Sequence, residues 1–283
     1  MKHFAFLIAL FFAGQAFSQG PTCCAKEDKA TATFAAFADD MAFRNMHPEP
    51  KSLNAAEQKG EMVQFDAADG QGSQAYFLSG AKDSKSCLFV IHEWWGLNDQ
   101  VKAEADRLHE ELGGEVHVMA LDMYDGAVAT TREAASKLMQ GVEGEHARAI
   151  TRGAAASEYL SEGTKIGTIG WCFGGGWSLQ ASMELGEQAA GCVMYYGMPE
   201  EDEERLGGLT VDVLGIFAAQ DGWITPEVVE QFEERMENVG KNLTYKIFDA
   251  KHAFANPTRD VYDDKAATEA NAMALEFLKE RLQ

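Results

Sequence analysis

From residue 61 onward the apolar side chains fall into short runs whose character changes along the chain. Glu61 to Asp66 and Gln74 to Leu78 alternate apolar and polar positions, with Asp69-Gly70 between them. That period of two predicts an antiparallel hairpin with one wet face. Beyond it the strand-like runs are almost continuously apolar, at 86–91, 115–121, 165–169, 190–196, 210–218 and 243–248. Amphipathic helical spacing fills most of the intervals, at 99–112, 129–161, 175–186 and 226–239, and closes the chain at 264–281. Strands without polar alternation are buried on both faces, which a parallel sheet covered by helices provides. The pattern therefore predicts an α/β fold with a mostly parallel central sheet, helices on both faces and an N-terminal antiparallel hairpin. Without an internal repeat or a linker to divide it, residues 59–283 read as one domain.

Upstream the pattern is different. Phe34, Phe37 and Met41 lie at helical spacing within 31–46, and Pro48 and Pro50 stop that helix. Residues 19–58 thus read as a partly helical arm, expected to pack on the outside of the core. Before the arm, Met1-Lys2-His3, the apolar Phe4 to Ala13 and the small-x-small Ala16-Phe17-Ser18 fit a signal peptide over 1–18, cut after Ser18. The apolar stretch falls short of the ~20 residues needed to span a bilayer. A secreted or periplasmic protein, off the membrane once the signal is removed, is the expectation.

Composition narrows the partners. At 283 residues the chain is long enough for one large core, and its formal charge of −21 disfavours nucleic acid, whose phosphates need basic patches. Five cysteines is an odd count, so in an oxidising compartment at least one thiol stays free. Cys87 and Cys192 lie within apolar strand runs, and Cys23 and Cys24 lie in the arm, where sequence leaves open whether they are free, paired or lipidated.

Cys172 has a chemical reason to be the free one. Thr168 to Gly176 reads as a strand that breaks at Gly170, offers Cys172 and restarts as a helix at Gly174. This is a Gly-x-nucleophile-x-Gly elbow, the device of the α/β-hydrolase fold, with sulfur in place of the more common hydroxyl. A turn that tight leaves no room for side chains at the flanking glycines. The helix N-terminus that follows favours a thiolate. Downstream, Asp221 follows the strand ending near 218, and His252 follows the strand ending near 248. Open parallel sheets gather ligands at the carboxyl ends of their strands, so all three can meet there. The order nucleophile, acid, histidine is the one this fold uses. Alone, Asp221 reads as a turn residue and His252 as a solvated loop histidine; their joint placement is what carries the assignment.

Ile91 to Asn98, Ala120-Leu121-Asp122-Met123-Tyr124, Gly170 to Gly175, Gln220-Asp221 and His252-Ala253-Phe254 together resemble the dienelactone hydrolase family, collinearly over roughly 60–283. The resemblance implies a hydrolase that cleaves an ester or lactone through a Cys-His-Asp triad, with a small-molecule substrate and neither metal nor organic cofactor. By it Cys172 is the nucleophile, His252 the general base and acid, and Asp221 its orienting partner. Glu93 corresponds to the acidic residue that controls protonation of the sulfur. The N–H of Phe173, directly after the nucleophile, supplies one oxyanion donor, and the resemblance implies Trp94 as the other. Trp95, Tyr124, Trp223, Phe254 and Asn256 are the expected pocket. The chain departs from the family where the substrate carboxylate is read: arginines found in members that open dienelactones are replaced by Gly126 and Asn256. A neutral residue does not replace a guanidinium clamp. General carboxylesterase or thioesterase activity on small acyl groups, and a redox-active thiol, are the alternatives; whether the protein is a monomer or a homodimer is open.

Overall fold

The computed structural model describes residues 29–49, 51 and 58–283. The expected signal segment, Cys23 and Cys24 lie outside the described residues. Eight strands form one sheet: β1 (Glu61–Asp66), β2 (Gly72–Leu78), β3 (Ser86–Ile91), β4 (His117–Leu121), β5 (Lys165–Trp171), β6 (Ala189–Tyr195), β7 (Val213–Ala218) and β8 (Leu243–Phe248), in spatial order β1-β2-β4-β3-β5-β6-β7-β8. β1 and β2 pair antiparallel, and β2 runs antiparallel to β4. From β4 across to β8 every pairing is parallel.

Burial follows the sequence pattern. β1 alternates exposed and buried positions, while β4 and β7 are buried along their whole length. The helices are α1 (Lys29–Phe37), α2 (Met41–Met46), α3 (Asp99–Glu111), α4 (Arg132–Gln140), α5 (Gly144–Ala155), α6 (Phe173–Leu185), α7 (Glu203–Leu206), α8 (Pro226–Asn238) and α9 (Asp264–Leu282). α6 packs on β5, β6 and β3, and α9 packs on β5 and β6.

Three predicted elements are redrawn. The helical stretch at 129–161 is two helices: Thr131 caps α4 by accepting from Ala134 N–H at 3.2 Å, and α4 stops at Gly141 before α5 begins. The strand at 210–218 begins only at Val213. Thr210 turns aside to donate to the Gly186 carbonyl at 2.6 Å, and the Asp212 carboxylate is engaged by Asn242 and Arg281. The arm helix at 31–46 breaks in two because Asp40 accepts from Ala42 N–H at 2.7 Å and thereby caps a fresh start, α2.

The arm lies along the outside of the domain and inserts a few side chains into it. Phe43 and His47 are buried completely or nearly so. Side chains from the main domain fasten the arm along its length. Ser136 Oγ donates to the Ala38 carbonyl at 3.3 Å, Gln140 Nε2 to Asp39 at 2.9 Å, Trp223 Nε1 to Asp40 at 3.2 Å and Arg132 Nη1 to Asn45 at 3.2 Å. Aromatic area rather than these polar contacts dominates the docking, since a buried phenylalanine contributes up to about 3 kcal/mol while exposed pairs contribute tenths. Among the described residues no helix is long and apolar enough to cross a membrane.

Candidate active site

Six parallel strands end at one rim of the sheet, and the residue just beyond each is a candidate. Cys172 follows β5 with φ +56° and ψ −118°, a backbone conformation that costs on the order of 1–3 kcal/mol for a residue with a side chain. Its neighbours hold it there. Cys172 N–H donates to the Tyr195 carbonyl at 3.0 Å, and its own carbonyl accepts from Gly175 N–H at 3.0 Å. The flanking glycines are required by contact: a Cβ on Gly170 would lie 2.0 Å from the Gly174 carbonyl oxygen, and one on Gly174 would lie 2.2 Å from that of Ile91. Tyr196 after β6 and Ala253 beside His252 share the left-handed backbone, so strain gathers around the sulfur.

Asp221 and His252 are brought together as expected. His252 Nδ1–H donates to Asp221 Oδ2 at 2.5 Å, with both side chains buried. Asp221 Oδ1 is held by the N–H groups of Trp223 at 2.9 Å and Ile224 at 3.1 Å, the first turn toward α8. Burial alone disfavours the imidazolium of His252, but the Asp221 carboxylate and then the Cys172 sulfur outweigh it and hold its pKa well above the ordinary range. His252 Nε2 is buried without a conventional hydrogen bond. A ring nitrogen of His252 lies within 4.8 Å of Cys172 Sγ. With Nδ1 committed to Asp221, Nε2 is the nitrogen left for the sulfur.

A second imidazole stands at the same sulfur, and it comes from the arm. His47 Nε2 lies 3.7 Å from Cys172 Sγ, while its Nδ1–H donates to the Phe43 carbonyl at 2.7 Å. Burial, with His252 and Arg259 adding like charge, pushes the His47 pKa well below the ordinary value, so the ring is neutral. Its ring meets His252 at 4.9 Å and Trp94 at 5.0 Å between centroids, and Phe43 packs edge-on against Trp94 at 5.5 Å and Trp223 at 5.1 Å. Cys172 is consequently 1% exposed. The broad groove lined by Gln64, Asp66, Gln74, Asp125 and Ser157 contains none of these side chains.

The remaining predicted residues sort by what they touch. Glu93 is buried, its Oε2 accepting from Asn256 Nδ2 at 2.9 Å and its Oε1 without a partner. Asn256 is therefore turned to Glu93 and anchored by Thr258 N–H at 2.9 Å. Gly126 has φ +89°, which an arginine would adopt only with strain, and its N–H donates to Asp122 Oδ2 at 2.6 Å. Tyr124 is buried with its hydroxyl unpartnered, its ring 5.5 Å from that of Phe173, which opens α6. Trp94 and Trp95 pack edge-on at 5.0 Å. Phe254 packs against Tyr196 at 5.7 Å and Phe248 at 5.2 Å, on the core side of the wall.

Sequence reasoning did not find His47, His92 or Tyr196 as site residues, and gave Arg259 no firm role. His92 Nδ1–H donates to the Glu93 carbonyl at 2.6 Å and its Nε2 accepts from Met123 N–H at 3.1 Å, tying the loops after β3 and β4 together. Tyr196 OH is unpartnered; burial, then Glu93 and Cys172, raise its pKa well above the ordinary value. Arg259 is buried, donates through Nη1 to the Pro48 carbonyl and stacks 5.3 Å from the Trp95 ring, with Nε and Nη2 unpartnered. Strand-end position could have flagged Tyr196. For His47 the only local signal was a phenylalanine four residues earlier, on the short helix that His47 terminates.

Comparison with known proteins places this site in context. The family model of the dienelactone hydrolase family matches residues 74–282. "Protein usf" of Aquifex pyrophilus is 29% identical over 234 residues, covering 79% of this chain and 99% of that protein. Carboxymethylenebutenolidase 1 of Cupriavidus pinatubonensis is 25% identical over 232 residues, covering 76% and 95%. Among solved structures, a dienelactone hydrolase-like promiscuous phosphotriesterase from metagenomic libraries superposes with a TM-score of 0.68 at 22% identity, covering 79% of this chain and 99% of that one.

Proposed function

The chain belongs to the dienelactone hydrolase family, and from that premise we propose that it hydrolyses a small ester or lactone through a Cys172 thioester. The observation that carries this reading is the convergence of three strand-end groups, with His252 bonded to Asp221 at 2.5 Å and its free nitrogen left to the buried sulfur. A His252 held cationic by Asp221 supports an ion pair with a Cys172 thiolate in the resting site.

In the first step the thiolate attacks the acyl carbonyl and a C–S bond forms. The oxyanion is received by N–H groups at Phe173 and Trp94, each donor contributing roughly 3 kcal/mol. Collapse breaks the C–O bond, and His252 gives its proton to the departing alkoxide. Neutral His252 then takes a proton from water, whose oxygen attacks the thioester and returns the sulfur as thiolate. Glu93 is assigned the control of sulfur protonation: it is buried just past β3 with Oε1 free of protein partners, and both it and Cys172 raise the pKa of the Tyr196 hydroxyl.

The docked arm has a role in this scheme. With Cys172 at 1% exposure, Phe43 and His47 must swing away before an acyl group can reach the sulfur. We assign the arm the function of a lid. With Gly126 left-handed and Asn256 committed to Glu93, the guanidinium beside the site among the described residues is that of Arg259, whose buried Nε and Nη2 have no protein partner and would be offered to an acidic substituent of the substrate. Among the described residues the redox alternative gains no support, because Cys87 and Cys192 are buried in strands and Cys192 Sγ lies 3.5 Å from Ser178 Oγ. Neither can serve as a resolving thiol. Turnover of p-nitrophenyl acetate tests the reading: it is expected in the intact protein and lost in Cys172→Ala and His252→Ala. Turnover that survives both substitutions would refute it.

A further inference from the structure

We propose that His47, Cys172 and His252 form a binding site for a soft or borderline transition-metal ion, with Zn²⁺ as the reference case, that clamps the N-terminal arm onto the sulfur. One ligand atom from each of the three lies within 4.8 Å of the other two, and all three residues are buried. The His47 Nε2 to Cys172 Sγ separation of 3.7 Å matches the ~3.6 Å edge of a tetrahedron built from Zn–N of ~2.1 Å and Zn–S of ~2.3 Å. No separation is longer than 4.8 Å, so the longest exceeds that edge by at most about 1.2 Å.

Two independent features prepare the donors. Both imidazoles are oriented through Nδ1, His47 by the Phe43 carbonyl at 2.7 Å and His252 by the Asp221 carboxylate at 2.5 Å. A histidine that donates Nδ1–H to a carbonyl or carboxylate and presents Nε2 inward has the outer contact metal-binding histidines require. His252 Nε2, moreover, is buried with no hydrogen-bond partner. One thiolate and two neutral imidazoles suit zinc, copper or cobalt, whereas Mg²⁺ and Ca²⁺ take oxygen ligands that this set lacks. On binding, the sulfur and both nitrogens donate lone pairs and any protons they carry pass to solvent; nothing is oxidised or reduced.

The consequence reaches the arm. His47 is on the arm while Cys172 and His252 belong to the sheet rim, so the ion would hold the lid shut and occupy the sulfur. The site stands on three side chains and two outer contacts, whether or not the sulfur is a nucleophile.

The test uses the full chain after chelator treatment, titrated with Co²⁺ as a spectroscopic probe and then Zn²⁺ as competitor. One equivalent of Co²⁺ is expected to give a thiolate-to-cobalt charge-transfer band that Zn²⁺ displaces and excess Mg²⁺ leaves unchanged. His47→Gln should weaken binding by at least about 10- to 100-fold, the scale for losing even an outer-shell partner. Cys172→Ser should abolish the band. X-ray absorption on the unsubstituted, zinc-loaded protein gives a readout independent of how the variants fold: one sulfur at ~2.3 Å and nitrogens at ~2.0–2.1 Å are expected. A band that persists in Cys172→Ser, as from Cys23 and Cys24, overturns the proposal. So does a folded His47→Gln that binds as tightly as the parent, or a zinc shell without a single sulfur. Hydrolysis lost in Cys172→Ala with no metal bound would sink this site and leave the proposed function intact.

Discussion

Two imidazoles flank the Cys172 sulfur, one delivered by the sheet and one by the arm, and the protein shifts their pKa values in opposite directions. His252 has a carboxylate behind it and its pKa is raised; His47 has a peptide carbonyl behind it and its pKa is lowered. Burial acts against the charged form in both cases. What differs is whether a full negative charge offsets it, and a carbonyl dipole does not supply one. The two supports differ likewise. The His252 loop follows a strand paired along its length with β7. The His47 segment rests on two short helices fastened by Phe43, a few hydrogen bonds and ion pairs at its edge. Segments of that kind open at a fraction of the global unfolding free energy. One histidine is fixed where the proposed chemistry needs it, and the other is fixed where the proposed lid would withdraw it.

Removing either half of the sheet-borne pair should have the largest effect. Cys172→Ala and Asp221→Asn are each expected to lower kcat by about 10⁴-fold, the second by leaving His252 in the wrong tautomer. Steady-state kinetics on a chromogenic ester measures both, and Asp221→Asn with near-native turnover would detach His252 from catalysis. The arm side should respond through access instead. Phe43→Ala is expected to raise the rate at which iodoacetamide alkylates Cys172 by about 10²-fold, from roughly 3 kcal/mol of lost burial. An unchanged rate would mean the arm does not guard the sulfur.

Arg259→Gln separates recognition from chemistry. It should raise KM about tenfold for a carboxylated lactone and leave a neutral ester nearly unaffected, since a hydrogen bond to a charged group contributes about 1.5–3 kcal/mol. Equal effects on both substrates would assign Arg259 to holding Pro48 alone.

Acidification should pull the two histidines apart. His47 has a folded pKa below its unfolded value of ~6.5, so its contribution to docking is fully present above ~6.5 and is lost as pH falls toward the folded value. The loss is at most about 1.4 kcal/mol per pH unit. For His252 the sign reverses: the folded pKa is raised, so its pairing with Asp221 contributes fully below ~6.5 and is lost only as pH rises through that higher value. Mild acid should therefore loosen the arm while the sheet rim stays intact. Tryptophan fluorescence, reporting Trp94 and Trp223 against Phe43, should change below pH ~6.5. The change should be absent in His47→Gln, and the same acid response in that variant would assign it to another group.

How much of this was legible in the sequence depended on the range of the forces involved. The hairpin at β1 and β2, the buried parallel strands and the elbow at Cys172 follow from side-chain periodicity and from glycines at which an added Cβ would lie 2.0–2.2 Å from backbone oxygen. Asp221 and His252 were readable because a strand's carboxyl end is a local feature and the topology of a parallel sheet brings such ends together. The split of the helix at 129–161 was blurred because a Thr131 cap and a Gly141 stop are weak signals inside a long amphipathic stretch. The orientation of Asn256 was not legible for a different reason. Whether an amide faces substrate or a neighbouring carboxylate depends on Glu93, 163 positions away.

The sequence by itself determined which side chains stand at the rim of the sheet, because strand ends and tight turns are written in neighbouring residues. Only the tertiary structure decided that the arm inserts Phe43 into the domain, that His47 faces the sulfur and that the two imidazole pKa values shift in opposite directions. Docking depends on aromatic surfaces meeting from Phe43, Trp94 and Trp223, which lie far apart in the chain. A proton's affinity depends on what is buried beside it, and neither quantity has a local signature.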